Sequence, residues 1–476
     1  MIHHLRRKWK YNFHRTEGLN AAADRDMIWK NCTEGDTHMN YRAYITTAAG
    51  ERLERSGALV PDREERETDL IRLYPAQRDQ VWEGFGGAVT DSAAYVWSRM
   101  PPELRRQVLD AYFSGEGLGY TSVRVPIDSC DFSLEPYEAA PDGRHFDMER
   151  PFRYILPMLE AIRERAPVEL MLSPWSPPAR YKTNGQRQGG GKCAPEHWED
   201  WAEYLCRYVE EFRRRGFRVA RLSLQNEPKA VQTWDSCQWS AAEERAFLLR
   251  CMKPALLRQG LEDVALYVWD HNKERVLDRA LALLEGEGRG AAGGVAFHWY
   301  SGDYFDELRR VHALFPEKKL ILSEFCVEYS RYAGAPPSLV RDLIAHELIG
   351  DLENGTSAVF DWNLLLDGRG GPNYVGNFCQ APFQYDAETG ELRRQGSYDA
   401  LWHFSHFIPR GSVRILSSAC SSDIEKTAFL RPDGSVVLVL RNPGPRRELF
   451  VKCGDKLAPL TAEAGALLTV VIDTIL

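Results

Sequence analysis

Eight apolar runs recur along the middle of the chain, at 81–91, 120–128, 168–175, 219–227, 265–272, 295–300, 320–324 and 357–363, each closing in polar or aromatic residues. Short, nearly continuous apolar runs of this kind read as strands covered on both faces, as in a parallel sheet. Between most of them the apolar period lengthens to that of a helix. The clearest such stretch spans 195–215, where Trp198, Trp201, Leu205, Tyr208, Val209 and Phe212 share one stripe and Gly216 supplies a stop. Pro101-Pro102-Glu103 opens another, continuing through Leu104, Val108, Leu109 and Tyr112. Strands alternating with helices imply a parallel sheet, and eight of them imply a closed (β/α)8 barrel of the α/β class. The first run is the least regular, because Gly84-Phe85-Gly86-Gly87 interrupts it.

The flanks have a different rhythm. Residues 41–47 and 70–74 predict short strands around a charged, loop-like stretch at 61–69. Past Pro409 the chain turns to short β runs at 413–416, 427–430, 435–440 and 467–472, punctuated by Pro432-Asp433-Gly434 and Asn442-Pro443-Gly444. A β-sandwich built from the tail and completed by strands that precede the barrel accounts for both flanks. The expected organisation is an unassigned segment at 1–40, sandwich strands at 41–78, the barrel at 79–405 and the main sandwich at 406–476.

Composition narrows the function classes. Charged residues make up 27% and hydrophobic residues 44%, as in an ordinary globular protein, and the net charge of -8 argues against a nucleic-acid partner. The N-terminal Met1-Ile2-His3-His4-Leu5-Arg6-Arg7-Lys8-Trp9-Lys10 is basic without an apolar stretch after it, and nothing reaches the length of a membrane span. The ten cysteines show no CxxC pair or zinc-ligand spacing. Reduced thiols and a cytoplasmic location are the simplest expectation.

The chemistry sits at strand ends, where α/β barrels carry their catalytic groups. Asn226-Glu227-Pro228 closes the fourth run and Leu322-Ser323-Glu324-Phe325 the seventh. Glycoside hydrolysis needs two such carboxyls, one to donate a proton and one to attack the anomeric carbon. Either glutamate alone could be a surface acid or a structural partner of an arginine. Pro228 turns the chain out of the strand at Glu227, which suits an acid/base whose pKa burial or the second carboxylate would raise. Glu324, behind the rigid Leu320-Ile321-Leu322, suits a nucleophile; Glu328 is a rival by type, in a predicted loop. His298 and His271 each stand alone, which disfavours a metal centre, and His298 is expected to be a structural, hydrogen-bonded residue.

Beyond these pairs, several motifs occur in a fixed order. They include Gly84-Phe85-Gly86-Gly87-Ala88-Val89-Thr90-Asp91, Arg124-Val125-Pro126, Ser129-Cys130-Asp131-Phe132-Ser133, Ser173-Pro174-Trp175-Ser176-Pro177-Pro178 and Lys182-Thr183-Asn184-Gly185. Asn226-Glu227-Pro228, His298-Trp299-Tyr300, Ser323-Glu324, Asp361-Trp362-Asn363 and Gly371-Pro372-Asn373-Tyr374 follow. In this order, over about 80–410, the chain resembles glycoside hydrolase family 30, and within it the glucosylceramidase branch. The resemblance implies a barrel fused to a β-sandwich and retaining hydrolysis of β-glycosides. It implies Glu227 as acid/base and Glu324 as nucleophile, with Asp91, Trp175, Asn226, Trp362 and Asn373 holding the terminal sugar and Trp299 and Tyr300 lining the floor.

On that reading the substrate is a small β-glycoside or an oligosaccharide, glucose is the expected sugar, and neither metal nor organic cofactor is required. A retaining cycle needs the two carboxyls about 5–5.5 Å apart. A β-xylosidase, a β-1,6-glucanase or a β-fucosidase would fit the same scaffold, and a non-catalytic carbohydrate-binding protein is the reading from another class.

Overall fold

The computed structural model describes residues 39–473, so the basic first ten residues and Cys32 lie outside the described residues. The chain enters through three strands, β1 (Met39–Thr46), β2 (Arg52–Pro61) and β3 (Leu70–Val81). The barrel follows as β4 (Gly84–Ala88), β5 (Ser122–Ile127), β6 (Glu169–Pro174), β7 (Arg218–Ser223), β8 (Ala265–Asn272), β9 (Gly294–His298) and β10 (Lys319–Glu324). After a two-residue β11 (Val327–Glu328), β12 (Thr356–Asp361) closes it in the order β10-β12-β4-β5-β6-β7-β8-β9. All eight expected barrel runs are therefore strands, most of them trimmed at one or both ends, while β8 matches its run and β10 begins one residue earlier. The fourth is trimmed most usefully, since β7 stops at Ser223 and leaves Glu227 in the loop beyond it.

The glycines of β4 have a steric cause. A Cβ on Gly86 would lie 2.4 Å from the Ser122 carbonyl oxygen, and one on Gly87 would lie 2.0 Å from a carboxylate oxygen of Asp361. Neighbouring strands approach too closely for any side chain there. The expected helices also form: a 3-10 turn at Pro195–His197 leads into Trp198–Arg214, and Pro102–Phe113 carries its proline in the first turn.

β1, β3 and the C-terminal strands form a mostly antiparallel β-sandwich whose sheet closes on itself. It contains more strands than the sequence pattern showed. β2 fills the stretch ahead of the expected loop; its first five residues are exposed, so no apolar alternation marks it. Arg447–Cys453 and Lys456–Ala462 were hidden by Arg446, Arg447, Glu448 and a mid-strand Pro459. The sandwich is tied to the barrel by backbone and side chain. The Trp82 N–H donates to the Ser412 carbonyl at 2.8 Å, and Arg341 donates to the carbonyls of Thr47 (2.5 Å) and Gly465 (2.9 Å).

Inside the barrel, Met171, Tyr267, Ala296, Ile321, Ala358 and Phe360 form the apolar floor. Side chains two residues further along a strand point the same way, so Ser173, His298 and Ser323 lie next above Met171, Ala296 and Ile321. This polar layer is the base of the site.

Candidate active site

Alternation alone would aim neither Asp270 nor Glu324 into the barrel. From Tyr267 the inward positions run to Trp269, and from Ile321 to Ser323. Two bulges correct this. The β8–β9 register shifts between Trp269 and His271, with positive φ at Trp269 (74°) and Asp270 (46°), and the β10–β9 register shifts between Leu322 and Glu324. A bulge re-aims a side chain at the cost of ladder regularity, and here each turns a carboxylate inward.

Arg124 of β5 is the centre of the arrangement and is wholly buried. It donates to Glu324 Oε2 (2.5 Å), Asn226 Oδ1 (2.8 Å), Asp270 Oδ2 (3.1 Å) and Ser173 Oγ (3.1 Å). Its planar fork allows one cation to hold three strands and the loop after β7 in register, which a point charge would not. Tyr300 donates to the other oxygen of Glu324 at 3.0 Å, so both carboxylate oxygens are oriented.

Asp270 accepts from four directions: Arg124 and Ser223 Oγ (2.5 Å) on one oxygen, Ser323 Oγ (2.5 Å) and His298 Nε2 (3.2 Å) on the other. Burial opposes its charge, but Arg124, His298 and Ser223 outweigh it and hold the pKa well below the usual carboxylate range. Asp270 stays ionised at any working pH.

Glu227 is placed by its backbone. Its N–H donates to the Asp270 carbonyl at 2.9 Å, and φ is +48°, a left-handed conformation that a glutamate adopts only when its surroundings impose it. Gln225 supplies part of that constraint by donating to the carbonyls of Trp175 and Asn226. The expected rise in the Glu227 pKa is not what the site produces. Burial does push it up, but the hydrogen bond to His298 and the charges of His271 and His298 bring it below the ordinary glutamate value. His298 Nδ1 lies 3.3 Å and His271 Nδ1 3.7 Å from Glu227 Oε1. The two histidines that stood alone in sequence thus flank one carboxylate. His298 is hydrogen-bonded, but to the centre of the site. Among the described residues no group of three or more His, Cys, Asp or Glu side chains is arranged to hold a metal ion.

The remaining candidates divide. Asn226 and Tyr300 touch the arginine and Glu324 as described. Trp175 and Trp362 stack on one another with ring centroids 5.3 Å apart, the Arg124 guanidinium lies beside the pair at 5.1 and 5.4 Å from the two centroids, and both rings are buried. Both rings thus pack against the arginine that orients Glu324. Trp299 donates to the Cys326 carbonyl at 3.1 Å and packs edge-on against Phe325.

Asp91 is engaged within the protein. It heads the helix Asp91–Arg99, and both its oxygens are occupied by Arg150, at 3.1 and 2.9 Å, with the Leu134 N–H at 3.0 Å. Asn373 is likewise spent on its own turn: its amide donates to the Asn377 carbonyl and its oxygen accepts from the N–H groups of Val375 and Asn377. The carboxylate that senses both glutamates is Asp131. Burial, and then the charges of Glu324 and Glu227, push its pKa up to about 8, while Asn377 Nδ2 donates to it at 3.0 Å. Asp131 was present in the motif Ser129-Cys130-Asp131, seven residues past the arginine of Arg124-Val125-Pro126, and that proximity was the available signal. Glu328, the rival to Glu324, ends β11 and pairs with Arg331 at 3.7 Å.

Two family models cover this architecture: a glycosyl hydrolase family 30 TIM-barrel domain matches residues 82–408 and a family 30 β-sandwich domain matches 411–470. The chain belongs to glycoside hydrolase family 30. It is 31% identical over 430 residues to the lysosomal acid glucosylceramidase of Mus musculus, covering 84% of this chain and 82% of the relative. It is 26% identical to an endo-1,6-β-D-glucanase of Neurospora crassa, over 77% and 80% of the two chains. The crystal structure of SrfJ from Salmonella typhimurium superposes with a TM-score of 0.87 at 37% identity, over 91% of this chain and 99% of that one. This family 30 protein is an O-glycoside hydrolase built on a TIM barrel with a β-sandwich, and among its described residues no helix is long and apolar enough to cross a membrane.

Proposed function

We propose that the chain is a retaining β-glycosidase that releases a terminal β-glucose through two glutamates. The observation that carries this reading is the division of labour between the two carboxylates. Glu324 has a cation on one oxygen and a phenol on the other, the surroundings of an ionised, oriented nucleophile. Glu227 faces an imidazole instead, the surroundings of a group that exchanges a proton. In the cycle Glu324 attacks the anomeric carbon as Glu227 protonates the departing oxygen; a water then releases the sugar with Glu227 as base. Glucose as the glycone is supported by the names of the relatives, which are glucosylceramidases and β-1,6-glucanases. Of the two carboxyls, we assign the ring-hydroxyl contact to Asp131, a reading supported by the hold of Arg150 on Asp91 and by the burial of Asp131 near the charges of Glu324 and Glu227.

The test is a panel of aryl β-glucoside, xyloside, fucoside and galactoside, with the anomer of the first product followed by proton NMR. Release of β-glucose by wild type, lost in Glu324→Gln, is the expected result. Turnover of the xyloside or fucoside ahead of the glucoside would overturn the sugar assignment, and first-formed α-glucose would overturn retention. The Neurospora crassa relative favours one second reading, cleavage within a β-1,6-glucan. Products longer than glucose from such a polymer would select it.

A further inference from the structure

We propose that His298 holds the proton that Glu227 delivers, so that the imidazole and the carboxylate work as one acid/base pair carrying a single proton, with Asp270 fixing the ring. This rests on the reading of Glu227 as the acid/base, and it makes His298 a positioning residue that acts through Glu227.

The geometry is specific. Both ring nitrogens face carboxylate oxygens, Nδ1 against Glu227 Oε1 at 3.3 Å and Nε2 against Asp270 Oδ1 at 3.2 Å. Asp270 is a permanent acceptor, since Arg124, Ser223 and Ser323 all donate to it. Nε2 therefore always carries hydrogen, and the state of Nδ1 alone is variable. A proton on Nδ1 makes an imidazolium donating to an ionised Glu227; a proton on Glu227 makes a carboxylic acid donating to a neutral ring. The same heavy-atom contact serves both. His298 has no exposed surface, whereas Glu227 retains some, so Glu227 is the ring's proton outlet toward substrate.

The charges around the ring decide when the proton moves. Facing His298 are Glu227 and Asp270 in contact, Glu324 with its Arg124 partner, His271 with ring centroids 6.4 Å apart, and Tyr300 edge-on at 6.0 Å. Burial favours the neutral ring, but the charge of Glu324, followed by the hydrogen bonds to Asp270 and Glu227, raises its pKa to about 9. When Glu324 becomes a glycosyl ester that charge is gone. In the first step a C–O bond forms at Glu324, the glycosidic C–O bond breaks, and the leaving oxygen takes the pair's one proton, which passes from Nδ1 through Glu227 and leaves Glu227 ionised and the ring neutral. In the second step a water O–C bond forms and the ester bond breaks. The water's proton passes through Glu227 back to Nδ1 as Glu324 recovers its charge. One proton leaves and one returns.

The experiment measures kcat/KM against pH for wild type, His298→Gln and Glu227→Gln, on an alkyl β-glucoside (poor leaving group) and on 2,4-dinitrophenyl β-glucoside, which departs unaided. We expect the wild-type alkaline limb near 9, as the pair rather than Glu227 alone titrates there. In His298→Gln that limb should fall by at least about one pH unit and activity on the alkyl glucoside at pH 8 by about tenfold or more, with the dinitrophenyl substrate changed less than about threefold. An unmoved alkaline limb, or equal losses on the two substrates, overturns the proposal. Retention of alkyl glucoside turnover by Glu227→Gln overturns instead the reading on which it rests. Histidine 15N NMR needs no His298 variant: one ring in wild type should stay an imidazolium to about pH 9 and titrate lower in Glu227→Gln. Histidines that are all neutral at pH 8 in wild type overturn the proposal as well.

Discussion

Replacing Arg124 by glutamine tests the central claim about how the site is held. The substitution removes donors to Glu324, Asn226, Asp270 and Ser173 and leaves buried carboxylates without their cation. Breaking one side of a buried ion pair costs about 3–5 kcal/mol, because the remaining charge has lost both water and partner. That is the loss in unfolding free energy expected at pH 7. Misplacing the attacking carboxylate by 1 Å would add a fall of about 10²-fold in kcat.

The pH dependence separates this cause from simple loss of packing. In wild type the Asp270 pKa is depressed on folding, so its contribution to stability is present above the unfolded value near 3.8 and is lost only as pH falls through the lower folded value. Without Arg124 the burial of Asp270 is no longer outweighed to the same degree, its folded pKa moves up, and protonation relieves the penalty as pH falls. Urea midpoints for both proteins from pH 8 to pH 4 should therefore show a gap that is widest near neutrality and narrows toward pH 4. A gap constant with pH, or below about 1 kcal/mol at pH 7 where a buried pair should cost several times that, would refute the ion-pair account.

Four other substitutions probe separate parts of the protein. Asp131→Asn should lower kcat/KM for an aryl β-glucoside by about tenfold at pH 7, where the raised pKa leaves the acid mainly uncharged and one lost neutral hydrogen bond to sugar is worth about 0.5–1.5 kcal/mol, while leaving the melting temperature nearly unchanged. Asp91→Asn should do the reverse, lowering stability by about 1–3 kcal/mol, because the Asp91 carboxylate is buried while its Arg150 partner stays partly exposed, with kcat/KM held within about threefold. Glu227→Gln should slow an alkyl glucoside by about 10²–10⁴-fold yet spare glycosylation by the dinitrophenyl glucoside in a pre-steady-state burst. Gly86→Ala should lower stability by about 1–3 kcal/mol in a thermal melt, because the added methyl meets the Ser122 carbonyl at 2.4 Å.

The barrel was legible in the chain because its signal is local. Each strand is a short apolar run followed by a helix period, and both are set by residues within one element. The glutamates were legible for the same reason, since each follows such a run. The sandwich was only partly so: β2 begins with five exposed residues, and an edge that faces water carries no alternation to read. Asp91 illustrates a second limit. Its motif placed it near a barrel mouth, but the partner that occupies it, Arg150, comes from a helix 59 residues on.

What sequence alone determined was the alternation of barrel strands and helices and the two glutamates, one just past strand four and one ending strand seven. The tertiary structure decided how those glutamates are charged and held. Asp270 enters the barrel through a bulge that breaks the two-residue period, and so does Glu324. The Glu227 pKa falls because His298, from a strand 71 residues away, comes within 3.3 Å of it. A titration depends on every charge within a few ångströms, and in a closed barrel those charges arrive from β5, β8, β9 and β10 at once. No run of neighbouring residues carries that sum.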